Sequence, residues 1–186
     1  MEVIKIKQEY SGKVAETHIK AGRHNIGYIV IEKPIAIVYG KAQVDEATCA
    51  ECGYEVYKSF NNGGTILASV GDIMFSHVAE PQNGWIFRFA DHFVDWLKAK
   101  GLNAEYVKND VLVDGYKVCG LCVTTYGRID FSSGIISMSV NLDHIKAICK
   151  KPMEKVPKGL SDYGITTEEV EKMFVAFCKE QIKEEN

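Results

Sequence analysis

Asn109-Asp110-Val111-Leu112-Val113-Asp114-Gly115-Tyr116-Lys117-Val118-Cys119-Gly120 carries the strongest fold signal in this chain of 186 residues. Val111 and Val113 before Asp114-Gly115, and Lys117 and Cys119 after it, alternate with their neighbours. Asp-Gly between two alternating runs is the strongest short-range hairpin signal. The hairpin presents Lys117 just past a tight turn and leaves Asn109 and Asp110 at the far end of its first strand. A lone lysine on a hairpin is ordinarily a solvated charge.

Outward from the hairpin, alternation and turn residues predict strands at Val3–Lys7, Gly27–Ile31, Ala36–Tyr39, Glu55–Lys58, Thr65–Leu67, Ile73–Ser76 and Ile135–Val140. Asp45 can cap a short helix running to Cys52, with Gly53 as its stop. Phe89–Lys100 carries Phe89, Phe93, Trp96 and Leu97 at helical spacing, and Gly101 follows. Asn141 caps a short helix from Leu142 to Cys149. Thr166 and Glu169 have the spacing of a capping box, ahead of a stripe of Val170, Met173, Phe174 and Phe177. Hairpin-paired strands with helices between and after them predict an α+β class: a mixed, largely antiparallel sheet packed with helices. No repeat or long linker divides the chain, so residues 1–186 read as one domain.

Composition narrows the function. Hydrophobic residues make up 46% and charged residues 25%, as in an ordinary soluble globular protein. A net charge of −3 and a pI near 6.0 offer no basic field, so nucleic acid is set aside as a partner. No apolar run is long enough to span a bilayer, Met1–Tyr10 reads as a strand and not as a secretory leader, and the six cysteines then suit a reduced cytoplasmic setting. Cys49/Cys52 and Cys119/Cys122 are two Cys-x-x-Cys pairs, a zinc pattern on paper. The second pair sits in a strand, where residues three apart face opposite ways, so no metal site is expected. A nucleophilic role for Cys149 ranks low, for want of a positioned base. The five histidines show no metal-binding spacing, and Lys179–Asn186 reads as a solvated helix end.

The string from Asn109 to Gly120 resembles the central motif of the lipoate–protein ligase and biotin–protein ligase superfamily, in which Asn-Asp precedes Gly-x-Lys-hydrophobic-small-Gly. Ile35–Lys41 is similar to that family's Ala-Val-hydrophobic-hydrophobic-Gly-Arg strand, and Asp45–Gly53 to the helix after it. Lys58-Ser59-Phe60-Asn61-Asn62-Gly63-Gly64, then Ala68-Ser69, then Gly71-Asp72-Ile73 are similar to Arg-Arg-x-Ser/Thr-Gly-Gly-Gly, His-Asp and Gly-Asn/Asp-hydrophobic. Phe131–Leu142 and Gly164–Phe174 match the later strand and the closing helix. The lipoate branch is favoured, because the Gly-Arg-Gly-Arg signature of biotin ligases is missing.

The resemblance implies a lipoate–protein ligase-like enzyme. It would activate lipoate or octanoate with ATP as an acyl-adenylate and attach the acyl group to a lysine of a lipoyl-type carrier domain. Lys117 inherits the catalytic place beside the acyl carboxylate. Lys58, Asn62, Gly63, Gly64, Asn109, Asp110, Gly120, Ser133 and Gly134 inherit ligand and nucleotide positions, with Mg²⁺ as an option at the Asn-Asp pair. The chain departs from the family pattern at Asn62, Lys58-Ser59, Ala68-Ser69 and Ser132-Ser133. A lysine and a serine do not reproduce the two-pronged phosphate grip of an arginine pair. These departures define the alternatives: a non-catalytic or accessory-dependent relative that binds an acyl or biotinyl ligand or the carrier, and an octanoyl or biotinyl transferase. A separate accessory subunit is left open as a further partner, on the reading that no C-terminal accessory domain follows.

Overall fold

A computed structural model describes residues 3–8, 26–39, 43–59, 64–81, 83–149 and 153–184. Its strands are β1 (Val3–Lys5), β2 (Ile26–Val30), β3 (Ile35–Tyr39), β4 (Glu55–Ser59), β5 (Thr65–Ala68), β6 (Ile73–Ala79), β7 (Ala104–Val107), β8 (Asp110–Val113), β9 (Tyr116–Tyr126) and β10 (Ile129–Ile136). Its helices, numbered here in chain order, are α1 (Glu46–Glu51), α2 (Trp85–Ala99), α3 (Leu142–Ile148) and α4 (Thr167–Glu184). The seven-stranded sheet runs β1-β2-β6-β10-β9-β8-β7 and the three-stranded sheet runs β4-β3-β5. Only β1–β2 and β3–β4 pair in parallel; the other described pairs are antiparallel. The expected α+β class, with its largely antiparallel sheet, is the one found.

Three apolar layers hold these elements. The large sheet packs one face on α2 and α4, burying Phe75, Trp85, Phe89, Phe93, Phe174 and Phe177. Phe75 and Phe89 meet edge to face at 4.7 Å between ring centroids, a favoured aromatic geometry. The opposite face of that sheet meets the small sheet through Ile29, Ile31, Ile35, Ile37, Ala68 and Ile135. The outer face of the small sheet packs on α1 and α3 through Ala36, Cys49, Tyr54 and Ile148.

Local chemistry places several elements where the sequence put them. Asp114 and Gly115 both take left-handed backbone, with φ of 52° and 79°, the conformation a two-residue I′ hairpin needs. Asp45 accepts a hydrogen bond from the Thr48 N–H at 3.0 Å. Asn141 accepts from the Asp143 and His144 N–H groups. At the start of α4 the capping box closes, Thr166 N–H donating to Glu169 at 2.9 Å and Glu169 N–H to the Thr166 hydroxyl at 3.2 Å.

Other boundaries differ from the expectation. Helix α2 starts at Trp85, four residues before Phe89, because Asn83 Oδ1 caps the Trp85 N–H at 3.1 Å across a left-handed Gly84. The strand expected at Ile135–Val140 ends at Ile136 and begins at Ile129. Beyond Ile136 the backbone donors leave the ladder: Ser137 N–H goes to Val118 O, and Met138 and Ser139 N–H go to the Asp72 carboxylate. Edge strand β7 has no counterpart in the expected strands, because four residues give too short a pattern to read.

Candidate functional site

A β-bulge builds the site. Along the β8–β9 ladder Asp110 pairs with Gly120, Val111 with Cys119, Leu112 with Lys117 and Val113 with Tyr116. Val118 is the extra residue on β9. Both Val118 and Cys119 are buried in the helix-side core, so the alternation of β9 resets there. The correction matters for Lys117. Simple alternation sets residues 117 and 120 on opposite faces, but the bulge brings the Lys117 side chain over Gly120. A Cβ on Gly120 would lie 3.0 Å from both Lys117 Cε and Nζ; the missing side chain is the space the lysine occupies.

The Lys117 ammonium lies 2.7 Å from Asp110 Oδ1. The other oxygen, Oδ2, receives Lys155 at 2.8 Å, and Lys155 also donates to Val107 O at 3.1 Å. Burial pulls the Asp110 carboxyl upward, but the two lysine hydrogen bonds outweigh it and hold the group below the usual carboxylate range. Lys155 arrives on a strap alongside β9, where Lys117 N–H donates to Val156 O and Lys158 N–H donates to Lys117 O, each at 3.0 Å. No pattern in the sequence singled Lys155 out; its place depends on that strap.

The charged corner borders an apolar surface. Across the strands, Asp110, Gly120, Ile135, Met74 and Ile29 form one row, and Ile135 and Ile29 belong to the layer between the two sheets. The next row is Cys122, Ser133, Ser76 and Gly27. Partly buried Tyr39, Tyr57, Ile66 and Met74 pack around the same layer. Burial pushes the Tyr39 phenol up to about 12, with Cys122 adding to the rise. The arrangement suits an amphiphile: a half-exposed cation with branched aliphatic and aromatic side chains next to it.

The expected site residues divide accordingly. Lys117, Asp110 and Gly120 come together, and Ser133 lies one row further along the same face. Gly134 lies on the other face, where the Phe75 ring and Leu121 Cδ2, the latter 2.8 Å from where a Cβ would be, fill its space. Ser132 is likewise on the helix side, in register with His77. Asn109 is exposed and contributes its carbonyl to Leu121 N–H at 2.7 Å. Lys58 follows Val56 on the outer face of the small sheet and pairs with Glu46 of α1 at 2.9 Å, both side chains well exposed. Gly64 extends the β3–β5 ladder through Tyr39 N–H. Asn62 and Gly63 lie outside the described residues.

Cys119 is buried and Cys122 exposed, and all six thiols are free. Mg²⁺ does not fit at Asp110 as it is held, since both carboxylate oxygens carry ammonium groups. Among the described residues no group of three or more His, Cys, Asp or Glu could hold a metal ion, and no helix is long and apolar enough to cross a membrane.

The family of the lipoyl protein ligase A/B catalytic domain matches residues 12–185. Lipoate-protein ligase LplJ of Bacillus subtilis is 27% identical over 131 residues, which cover 65% of this chain and 39% of that protein; the chain thus spans well under half of that relative's length. Among solved structures, protein Ta0514 of T. acidophilum with bound lipoic acid gives a TM-score of 0.79 at 15% identity, covering 98% of this chain and 86% of that one. A bi-partite lipoate protein ligase studied with its E2 lipoyl domain, from Thermoplasma acidophilum, gives 0.77 at 16% identity over 98% and 82% of the two chains. A lipoate-protein ligase A bound with ATP gives 0.76 at 16% identity over 97% and 84%. At these identities the structural likeness is one of fold.

Proposed function

This chain belongs to the lipoyl protein ligase A/B catalytic domain family, and from that premise we propose that it joins lipoate or octanoate to a lysine of a lipoyl-type carrier domain at the expense of ATP. The observation that supports this reading is the juxtaposition of Lys117, seated over Gly120, with the apolar layer around Ile135, Met74 and Ile29. A fatty or dithiolane tail would lie along that layer with its carboxylate at Lys117. Solved relatives with lipoic acid and with ATP bound are consistent with both substrates.

The chemistry proceeds in two steps. A carboxylate oxygen of the acid attacks the α-phosphorus of ATP, an acyl–O–P bond forms, and the bond to pyrophosphate breaks. The amine of the carrier lysine then attacks the acyl carbon, an amide forms, AMP leaves and the amine loses its proton. Both steps gather negative charge near the acyl oxygen and the α-phosphate, and a fixed ammonium in a partly dry corner stabilises that charge. On this reading Asn109 and Gly120 border the nucleotide and acyl path beside Lys117. Six free thiols accord with a reducing, cytoplasmic setting. The bi-partite assembly of the Thermoplasma protein supports an accessory subunit as a further partner.

One observation favours a second reading, a relative that binds acyl ligand or carrier without turnover. Lys58, at the first position of the family's arginine pair, is held by Glu46 on the outer face and away from the intersheet layer. The two readings separate in one experiment: mass detection of acyl-AMP and acylated carrier with lipoate, octanoate and biotin, on the parent and on Lys117→Ala. The ligase reading expects adenylate from the parent and a loss of about a hundredfold or more in the variant. Absence of adenylate and of acylated carrier, with ligand binding retained, would leave the binding-only reading.

A further inference from the structure

Lys155 joins the site from a different part of the chain than Lys117, and three observations give it a purpose. It holds Asp110 Oδ2 at 2.8 Å while Lys117 holds Oδ1 at 2.7 Å. It sits on the strap whose backbone is hydrogen-bonded to Lys117 itself. All three side chains are sheltered, with 24%, 18% and 37% of the Lys155, Asp110 and Lys117 side chains exposed, so their charges are screened less than on open surface.

Asp110 and Lys117 alone sum to zero charge. An acyl carboxylate and a phosphate arriving there would meet a lysine already neutralised, beside a carboxylate that repels them. Turning Lys117 toward substrate would also strand Asp110 as a sheltered, unpaired anion, which is costly. With Lys155 the cluster sums to plus one, and Asp110 keeps a partner when Lys117 turns away.

We propose that Lys155 is a positioning residue for the reaction, pairing permanently with Asp110 so that Lys117 is free to exchange its carboxylate partner from Asp110 to the acyl acid. The inference rests on the reading that Lys117 meets the acyl carboxylate. It assigns Asp110 to charge balance and to aiming Lys117, through which Lys155 acts.

The test uses the full chain with ATP and octanoate, followed by pyrophosphate release, together with calorimetric binding of a non-hydrolysable octanoyl-adenylate mimic. Lys155→Met and Lys155→Gln remove the charge, the second keeping a donor for the Val107 carbonyl. Lys155→Arg keeps the charge. Both neutral variants are expected to raise the octanoate KM and weaken mimic binding by about tenfold to a hundredfold, with Tm within about 2 °C of the parent. Lys155→Arg is expected to restore most of the loss. In an Asp110→Asn background the effect of Lys155→Met on mimic binding should shrink to about twofold, because there is no anion left to balance. Parental KM and mimic affinity in the neutral variants overturn the proposal. So does an equal loss with and without Asp110, a loss that Lys155→Arg fails to rescue, or one that follows a fall in Tm. A parent that neither turns over nor binds the mimic defeats the ligase reading itself and takes this inference with it, a result distinct from an active parent indifferent to Lys155.

Discussion

Two glycines show how one substitution has opposite meanings on the two faces of a sheet. At Gly120 an added Cβ meets the far end of the Lys117 side chain at 3.0 Å and Asp110 Oδ1 at 3.7 Å, with no backbone in the way, so Gly120→Ala should leave stability within about 1 kcal/mol of the parent. The ammonium must move by a few tenths of an ångström or more, and catalytic groups are sensitive to such shifts. Adenylate formation by Gly120→Ala is therefore expected to fall about tenfold or more, which single-turnover assays would show at unchanged Tm. At Gly134 an added Cβ meets the Phe75 ring, which is wedged against Trp85, Phe89 and Phe174. Gly134→Ala should cost about 1–3 kcal/mol through overpacking, read as a lower urea midpoint. A Gly134→Ala protein as stable as the parent would mean that the ring finds another place. Nothing in a list of glycines distinguishes these two; the register of β9 and β10 does.

At the scale of elements, the pieces joined by side-chain caps carry the clearest predictions. Thr166→Ala removes the hydroxyl that accepts the Glu169 N–H, and a lost cap of this kind should lower Tm by about 2–4 °C. The connection between the β5–β6 turn and the end of β10 depends on Asp72, which accepts from Ser69, Met138 and Ser139 N–H groups. Burial pushes its carboxyl up to about 7 from an ordinary 3.8, more than those three hydrogen bonds pull it down. The folded chain therefore holds a proton between about pH 4 and 7 that the unfolded chain has already released. The stabilising contribution of that proton is complete below about pH 4 and declines as pH rises to about 7, above which both states are ionised. Asp72→Asn, which cannot ionise, should lack this slope. Urea midpoints of parent and variant at pH 5 and pH 8 check it: the stability of the parent relative to the variant must fall as pH rises, and a constant difference would refute the burial argument.

On the scale of the whole molecule, the proposed function depends on two sheets facing each other across a layer that ends at a charged corner. The proposed acyl ligand, lying along that layer, would bind the folded state alone. An acyl-adenylate mimic at about 100 times its Kd should thus add about 2.7 kcal/mol of stability, raising Tm by about 5–11 °C for a chain of this size, and Lys117→Ala should lose most of that gain at the same concentration. Much of this architecture was legible residue by residue. Asp114-Gly115 forms its turn because both positions tolerate left-handed backbone, and the Thr166/Glu169 and Asn141 caps form because their hydrogen bonds are local. The stripe of Val170, Met173, Phe174 and Phe177 is buried because a helix repeats every 3.6 residues. The motif around Lys117 was legible too, as family resemblance. What the chain could not announce were the features set by distant partners: the end of β10, fixed by Asp72 taking two of its donors; the outward turn of Lys58 to Glu46; the arrival of Lys155; and the bulge at Val118. Short-range patterns determined the hairpin and its lysine. Only the tertiary structure, by drawing both Val118 and Cys119 into the helix-side core, decided which face of the sheet that lysine would occupy, because a strand whose side chains alternate strictly cannot bury two neighbours on one side without resetting its register.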